Sequence, residues 1–211
     1  MRILVTAGPT REYLDNVRFL SNASSGRMGY ALAAAAAGRG HTVDLVSGPV
    51  ALAPPAVHVV RVETAAEMLR AAREAFTGCD AAVMTAAVAD FRPVERRTHK
   101  APKPPGVWHL ALEPTPDICA TLAADKGRRV VVAFAVQDED AQVRAEEKLA
   151  RKHCDAIVLN GPETIGSPRA RQQIKVAGEP WREPYDADKA EAADRIIALV
   201  EELVGRTPQP H

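Results

Sequence analysis

The constraint that most limits the fold is a recurrence: short apolar runs closed by turn residues, each followed by a stretch with helical spacing. The runs are "RILVTAG", "TVDLVSG", "VHVVRV", "DAAVMTAAV", "RVVVAFAV" and "DAIVLN". Most lack the alternation of a half-exposed strand, so they read as strands buried on both faces, the habit of a parallel sheet. Between them lie "MGYALAAAAAGRG", "TAAEMLRAAREAF", "PDICATLAA" and "EDAQVRAEEKLARKH", with apolar or alanine positions three and four apart. Thr64 and either Thr115 or Asp117 are expected as N-caps, and Gly38 and Gly40 suit the end of the first long helix. The implied fold is α/β: a three-layer, Rossmann-like, mostly parallel sheet. With 211 residues, 46% of them apolar, the chain is long enough to bury a full core. One domain over residues 1–205 is expected, with a frayed tail at 206–211.

Charge and cysteine usage exclude several classes. The net charge is zero and the basic residues form no stripe, which gives no argument for nucleic acid as a partner. No apolar run approaches the ~20 residues of a membrane span, and the first residues lack a signal-peptide pattern, so no membrane partner and a cytoplasmic location are expected. Cys79, Cys119 and Cys154 form no C-x-x-C pair, and the histidines fall in no ligand spacing. Buried thiols are the better reading of the cysteines.

Three segments interrupt the rhythm. "AGPTREYLDNVRFLSNASSGRMGYALA" places about twenty residues between the first strand and its helix, where a nucleotide-binding fold normally has a short glycine-rich turn. "FRPVERRTHKAPKPPG", residues 91–106, is rich in proline and basic residues without apolar periodicity and reads as an exposed, mobile flap. Residues 160–186 are expected to carry a small hairpin before a final amphipathic helix, "ADKAEAADRIIALVEELV". Ligands of open parallel sheets bind beyond the carboxyl ends of the strands, where the first loop begins. Ser24, Ser25, Gly26 and Gly29 stand at the start of the first helix, either capping it or leaving its N–H groups to a phosphate. The dinucleotide fingerprint fails, because Gly8 is followed by Pro9 and Thr10 and the second strand ends in Ser47-Gly48-Pro49. No Walker loop and no G-x-S-x-G elbow occurs.

Those residues carry a resemblance. The S-N-x-S-S-G-x-M-G core of the first loop, "AAVADFRP", a lysine ten residues past Asp90, "EPTPDI", and K-L-x-x-K-x-x-D before a strand ending in Asn resemble, in order and spacing, the phosphopantothenoylcysteine synthetases. These are the phosphopantothenate–cysteine ligases of coenzyme A biosynthesis. The likeness runs over nearly the whole chain. In many bacteria this domain is fused behind a flavin-dependent decarboxylase; here the likeness covers a stand-alone ligase, implies no flavin, and leaves a separate decarboxylase chain as a conceivable partner.

What the resemblance implies is a two-step ligation. The carboxylate of phosphopantothenate is activated by a nucleoside triphosphate, CTP with ATP as the other possibility, and the cysteine amine then attacks the acyl-nucleotide. Asn22 matches an asparagine holding that intermediate, where an amide donor suits an oxyanion. Arg18 matches an arginine meeting anionic substrate across a homodimer interface. Lys100 matches a flap lysine that closes over the triphosphate, although this chain continues Ala101-Pro102-Lys103 where the family usually has further lysines. Asp90 matches a nucleotide contact, and Ala86 and Ala87 match small residues along the substrate channel. Ser24, Ser25, Gly26, Met28 and Gly29 belong to the nucleotide cradle. Pro116, Asp117, Ile118 and Cys119 match a turn facing the nucleotide, Phe134 an aromatic beside the base, and Lys148 and Lys152 two lysines near the phosphates. After Phe134 the family's usual A-A-E-T is replaced by Ala135-Val136-Gln137-Asp138, which weakens the carry-over of base recognition. Mg²⁺ is expected through phosphates and water rather than a protein cage. Two other readings of the fold are an NAD(P)-dependent oxidoreductase, which the missing glycine fingerprint disfavours, and a non-catalytic nucleotide-binding module.

Overall fold

The computed structural model describes residues 1–103 and 105–207. Eight strands form the central sheet: β1 (Arg2–Ala7), β4 (Thr42–Ser47), β5 (His58–Arg61), β6 (Ala81–Met84), β9 (Val130–Val136), β10 (Ala156–Asn160), β11 (Arg169–Val176) and β12 (Tyr185–Asp188). Their order is β12-β11-β10-β9-β6-β1-β4-β5. β1, β4, β5, β6, β9 and β10 pair in parallel, β11 adds antiparallel to β10, and β12 adds antiparallel to β11. The expected hairpin is therefore an extension of the main sheet rather than a separate lobe. Two short ribbons stand outside it: β2 (Arg11–Tyr13) with β3 (Phe19–Ser21), and β7 (Phe91–Pro93) with β8 (Leu112–Pro114).

Because successive side chains of a strand point to opposite faces, "RILVTA" sends Ile3 and Val5 one way and Leu4 the other. Ile3, Val5, Val83, Val132 and Val158 pack under α1 (Arg27–Gly38) and α5 (Lys189–Arg206). Leu4, Val131 and Ile157 pack under α2 (Ala65–Phe76), α3 (Ile118–Ala124) and α4 (Ala141–Arg151), through Met68, Leu122 and Leu149. This is the three-layer arrangement that the strand–helix alternation implies. Outside the core, Arg39 bridges from α1 to Asp194 and Glu201 of α5, and His41 joins Glu201.

The caps follow the sequence. Thr64 and Glu67 form a reciprocal capping box on α2, and the Asp117 carboxylate accepts from the Ala120 N–H at the start of α3. Gly38 closes α1, and Gly40 adopts φ 80° just beyond it. The tail needs correction, since Arg206 is the last residue of α5 and pairs with Glu179 and Glu202. Residues 208–211 lie outside the described residues.

The long first loop is itself structured. The β2–β3 turn is built on Asp15, whose carboxylate accepts from the Val17 and Arg18 N–H groups and pairs with the Arg18 guanidinium at 2.6 Å. The same carboxylate accepts from the Ala101 N–H, and Arg18 Nη2 donates to the Ala101 carbonyl at 2.9 Å. Arg18 also lies 4.6 Å from the Trp108 ring centre, and the Arg97 N–H donates to the Leu14 carbonyl. The flap is thus strapped to the hairpin, and its β7–β8 stem extends it to Pro114 rather than ending at 106. It is largely exposed, as expected, but it is anchored.

The Arg18 contact, with help from the backbone donors and against burial, holds the Asp15 carboxyl well below the usual carboxylate range. A depressed folded pKa contributes stability that is complete above the unfolded value of about 3.9 and is lost as pH falls below it. Replacing Asp15 by asparagine removes that charge at every pH. Trypsin should then cut at Arg96, Arg97 and Lys100 on the order of tenfold faster at neutral pH, followed by mass spectrometry of the fragments. Unchanged cleavage would show that the strap does not restrain the flap.

Candidate active site

A cavity of about 530 Å³ opens at the carboxyl ends of β1, β6, β9 and β10. β1 leads through α1 to β4 on one side, whereas the chain returns through α2 to β6 on the other, so the cavity sits at the topological switch of the sheet. Its floor includes Thr6 and Thr85, whose hydroxyl donates to the Thr6 carbonyl. The loop after β6 is tied to the first loop by Ala87 N–H donating to the Gly8 carbonyl and Ala89 N–H to Thr10 Oγ1.

One wall is the start of α1, where Ser24, Ser25, Gly26, Arg27 and Met28 line the cavity. Neither serine caps the helix. Gly26 is the N-cap, in the left-handed region at φ 74°, and no side chain accepts from the first turn. The Ser24 hydroxyl instead accepts from the Gly26 N–H at 3.3 Å. An uncapped helix start facing a cavity offers N–H donors and the positive end of the helix dipole to an anion. Gly29 is not on the wall but below it, packed against Ala7 and Thr85, where a Cβ would sit 2.7 Å from Thr85 Oγ1.

The opposite wall carries Pro116, Asp117, Ile118, Cys119, Phe134, Lys148 and Lys152. Lys152 pairs with Asp117 at 2.8 Å, and Lys148 donates to the Phe134 carbonyl at 3.2 Å. Burial pushes the Asp117 carboxyl up, but the bonds from Lys152 and the Ala120 N–H outweigh it and leave it below the usual range. The Asp117 carboxylate takes one N–H of the first turn of α3, that of Ala120. Burial, reinforced by the nearby charge of Lys152, lowers the Lys148 ammonium below the ordinary lysine value.

Asn22, Ala86, Ala87 and Asp90 complete the predicted set around the cavity. The Asn22 amide is not an idle donor: Nδ2 bonds the carbonyls of Ala87 and Val88 at 3.3 and 3.0 Å. It pins the substrate-channel loop to the first loop. Arg18 and Lys100 do not line the cavity. Arg18 is committed to Asp15, Ala101 and Trp108, and Lys100 is exposed on the strapped flap.

The sequence reading missed a third wall made by Thr164, Ile165, Gly166 and Lys189. Lys189 donates to the Thr164 carbonyl and Arg27 to that of Gly166, which brings two more cations to the rim. Burial and the Arg27 charge lower the Lys189 ammonium. Asn160 Oδ1 accepts from Gln172 Nε2, and Gln172 Oε1 accepts from the Tyr185 hydroxyl, a buried chain holding the end of β10. The only sequence signal for this wall was the asparagine ending the sixth run. Among the described residues no cluster of three His, Cys, Asp or Glu side chains is placed to hold a metal. Among the described residues Asp90 is the cavity carboxylate that makes no side-chain hydrogen bond or ion pair, and one carboxylate suits an ion that keeps water and phosphate ligands.

Fold and site define a doubly wound α/β domain with a cationic cavity at its switch point. The sequence pattern described as the DNA/pantothenate metabolism flavoprotein C-terminal domain matches residues 1–204, and the chain belongs to that family. A cysteine/cysteine sulfinic acid decarboxylase from an unidentified prokaryote is 46% identical over 169 residues, covering 79% of this chain and 47% of its own. The coenzyme A biosynthesis bifunctional protein CoaBC of Bacillus subtilis (strain 168) is 42% identical over 167 residues, covering 78% of this chain and 41% of its own. The chain thus spans about half, or less, of the length of these relatives. The crystal structure of the C-terminal domain of CoaBC superposes with a TM-score of 0.84 at 37% identity, covering 97% of this chain and 95% of that one. No helix among the described residues is long and apolar enough to cross a membrane.

Proposed function

We propose that this chain is a phosphopantothenate–cysteine ligase acting in the cytoplasm. The observation that carries this reading is one cavity that joins an uncapped helix start, the half-buried Lys148 and the pinned Ala86–Val88 loop. In the reaction, a carboxylate oxygen of 4′-phosphopantothenate attacks the α-phosphorus of CTP and pyrophosphate leaves. The cysteine amine then adds to the activated carbonyl, and CMP leaves with the bonding electrons.

The residues divide these tasks. The N–H groups of Arg27 and Met28 and the ammonium of Lys148 meet phosphate oxygens, where fixed donors in a water-poor site stabilise developing charge. Ala86 and Ala87 leave room for the acyl chain, and Phe134 offers a ring edge to the base. Asp90 would hold Mg²⁺ together with the phosphates, and that ion supplies neutralisation of the triphosphate charge. Lys100 directly precedes Ala101, whose N–H is bonded to Asp15, so holding or releasing the strap would set where this lysine stands in a closing lid. Exposed Val17 and Phe19 on one ribbon and Phe91 and Leu112 on the other favour a homodimer through that face.

The test is to supply phosphopantothenate, cysteine, Mg²⁺ and either CTP or ATP, and to measure the amide product, the nucleoside monophosphate and any CO₂ from cysteine. Product with stoichiometric CMP is expected. Release of CO₂ with no nucleotide consumed would sink the reading and favour the decarboxylation named for one relative.

Asn22→Asp sets a carboxylate against the carbonyls of Ala87 and Val88, so the channel loop should open. Pyrophosphate release and amide formation should then fall together, by roughly 10²-fold for a displacement of about 1 Å. Persistent pyrophosphate release with loss of the amide alone would mean that Asn22 acts on the acyl-nucleotide directly.

A further inference from the structure

Cys119 and Cys154 are far apart in sequence but adjacent in space. Cys119 is the second residue of α3 and lines the cavity, whereas Cys154 precedes β10, and their Sγ atoms lie 3.5 Å apart. Both are free thiols in the core layer under α2, α3 and α4. The geometry points to a dithiol modification site: hydrogen peroxide entering the cavity oxidises Cys119, and Cys154 resolves the product to a Cys119–Cys154 disulfide that closes the nucleotide site.

Cys119 sulfur attacks one peroxide oxygen, the O–O bond breaks, and the thiol proton leaves with the other oxygen as water. The sulfenic acid left behind carries a new S–O bond. Cys154 sulfur then attacks Cys119 sulfur, the S–O bond breaks, and a second water leaves with the Cys154 proton. The peroxide takes two electrons and the two thiols lose them. The hydrogen bond from Cys154 lowers the Cys119 thiol against burial, with Lys152 and Lys148 adding to the effect, whereas the same contact and burial push Cys154 up. Cys119 is therefore the attacking sulfur and Cys154 the resolving one. Cys79 serves as an internal control: its Sγ donates to the Phe76 carbonyl, burial pushes it up to about 11, and it does not line the cavity.

Disulfide formation shortens the sulfur separation to about 2.05 Å. The first turn of α3 must move toward Cys154, and Asp117 and Ile118 move with it relative to Lys152 and Phe134. Only this functional consequence rests on the nucleotide reading of the cavity; the thiol chemistry does not.

The reduced protein is treated with hydrogen peroxide, with and without CTP, and peptides are mapped by mass while CTP affinity is measured by calorimetry. A Cys119–Cys154 crosslink is expected, with Cys79 still alkylatable. CTP should bind roughly tenfold more weakly, recover with dithiothreitol, and slow the oxidation when bound first. Cys154→Ala should keep the unoxidised affinity and form no crosslink. Absence of the crosslink, oxidation of Cys79 at the same rate, or a crosslink with unchanged CTP affinity would overturn the proposal. A reduced protein that binds no CTP removes the nucleotide reading and the proposed control with it, while the crosslink mass still reports the thiol chemistry.

Discussion

Lys148→Gln is expected to lower kcat/KM for the nucleotide by roughly 10²–10³-fold while leaving the unfolding midpoint unchanged or raised. The two halves have one cause. Lys148 spends one of its three N–H donors on the Phe134 carbonyl, and burial already disfavours its charge. Its ammonium is costly to the fold and useful only when a polyanion arrives. Lys152 differs, because it is already committed to Asp117. The lowered Lys148 pKa also fixes a pH limb. The site loses a positive charge as pH rises through that value, so nucleotide affinity declines before the ordinary lysine range of about 10.4 is reached. Lys148→Arg should remove its share of this limb and leave that of Lys189. A calorimetric titration of CTP across alkaline pH decides the matter, and an undiminished affinity in Lys148→Gln would take the residue out of the site.

The second large effect lies beneath the cavity. Gly29→Ala puts a methyl group into the Ala7 Cβ and within 2.7 Å of Thr85 Oγ1, whose hydroxyl is bonded to the Thr6 carbonyl. α1 must lift from β1, with an expected cost of roughly 2 kcal/mol and a midpoint lower by about 4–8 °C for a chain of this size. Nucleotide binding should fall with it, because the same displacement moves the donors of Arg27 and Met28. Gly38→Ala is the control: its Cβ meets no atom within 4 Å, and the helix should gain about 0.4–1 kcal/mol. Equal melting of the two variants would show that the close approach of α1 and β1 is not what Gly29 provides.

The sheet was legible because "RILVTA" or "AIVLN" must be buried on both faces, and no competing pattern fits such runs. The cavity wall from Asn22 to Met28 was legible because it is a contiguous segment with an unusual composition. The hairpin inside the same loop was not, since "REY" and "FLS" are too short to show a period and are fixed by Asp15 rather than by their own propensity. Arg18 stands three residues from Asp15, and it is the β2–β3 turn that pairs the two. Lys189 and Arg27 meet at the rim through a long-range packing of α1 against the β10–β11 connection and α5, which no local spacing encodes. Lys100 follows a family spacing that reports a mobile element, so its sequence position and its place in this strapped conformation differ.

The pairing of α1 with α5 carries a consequence for biosynthesis. Leu32, Ala33 and Ala36 are synthesised long before their covering partners Ile196, Ile197 and Val200. A nascent chain therefore leaves the α5-covered part of that sheet face exposed until α5 emerges, so closure of that layer is a non-local event. Ribosome-stalled chains ending before Lys189 should remain open to protease, and chains extended past Arg206 should not.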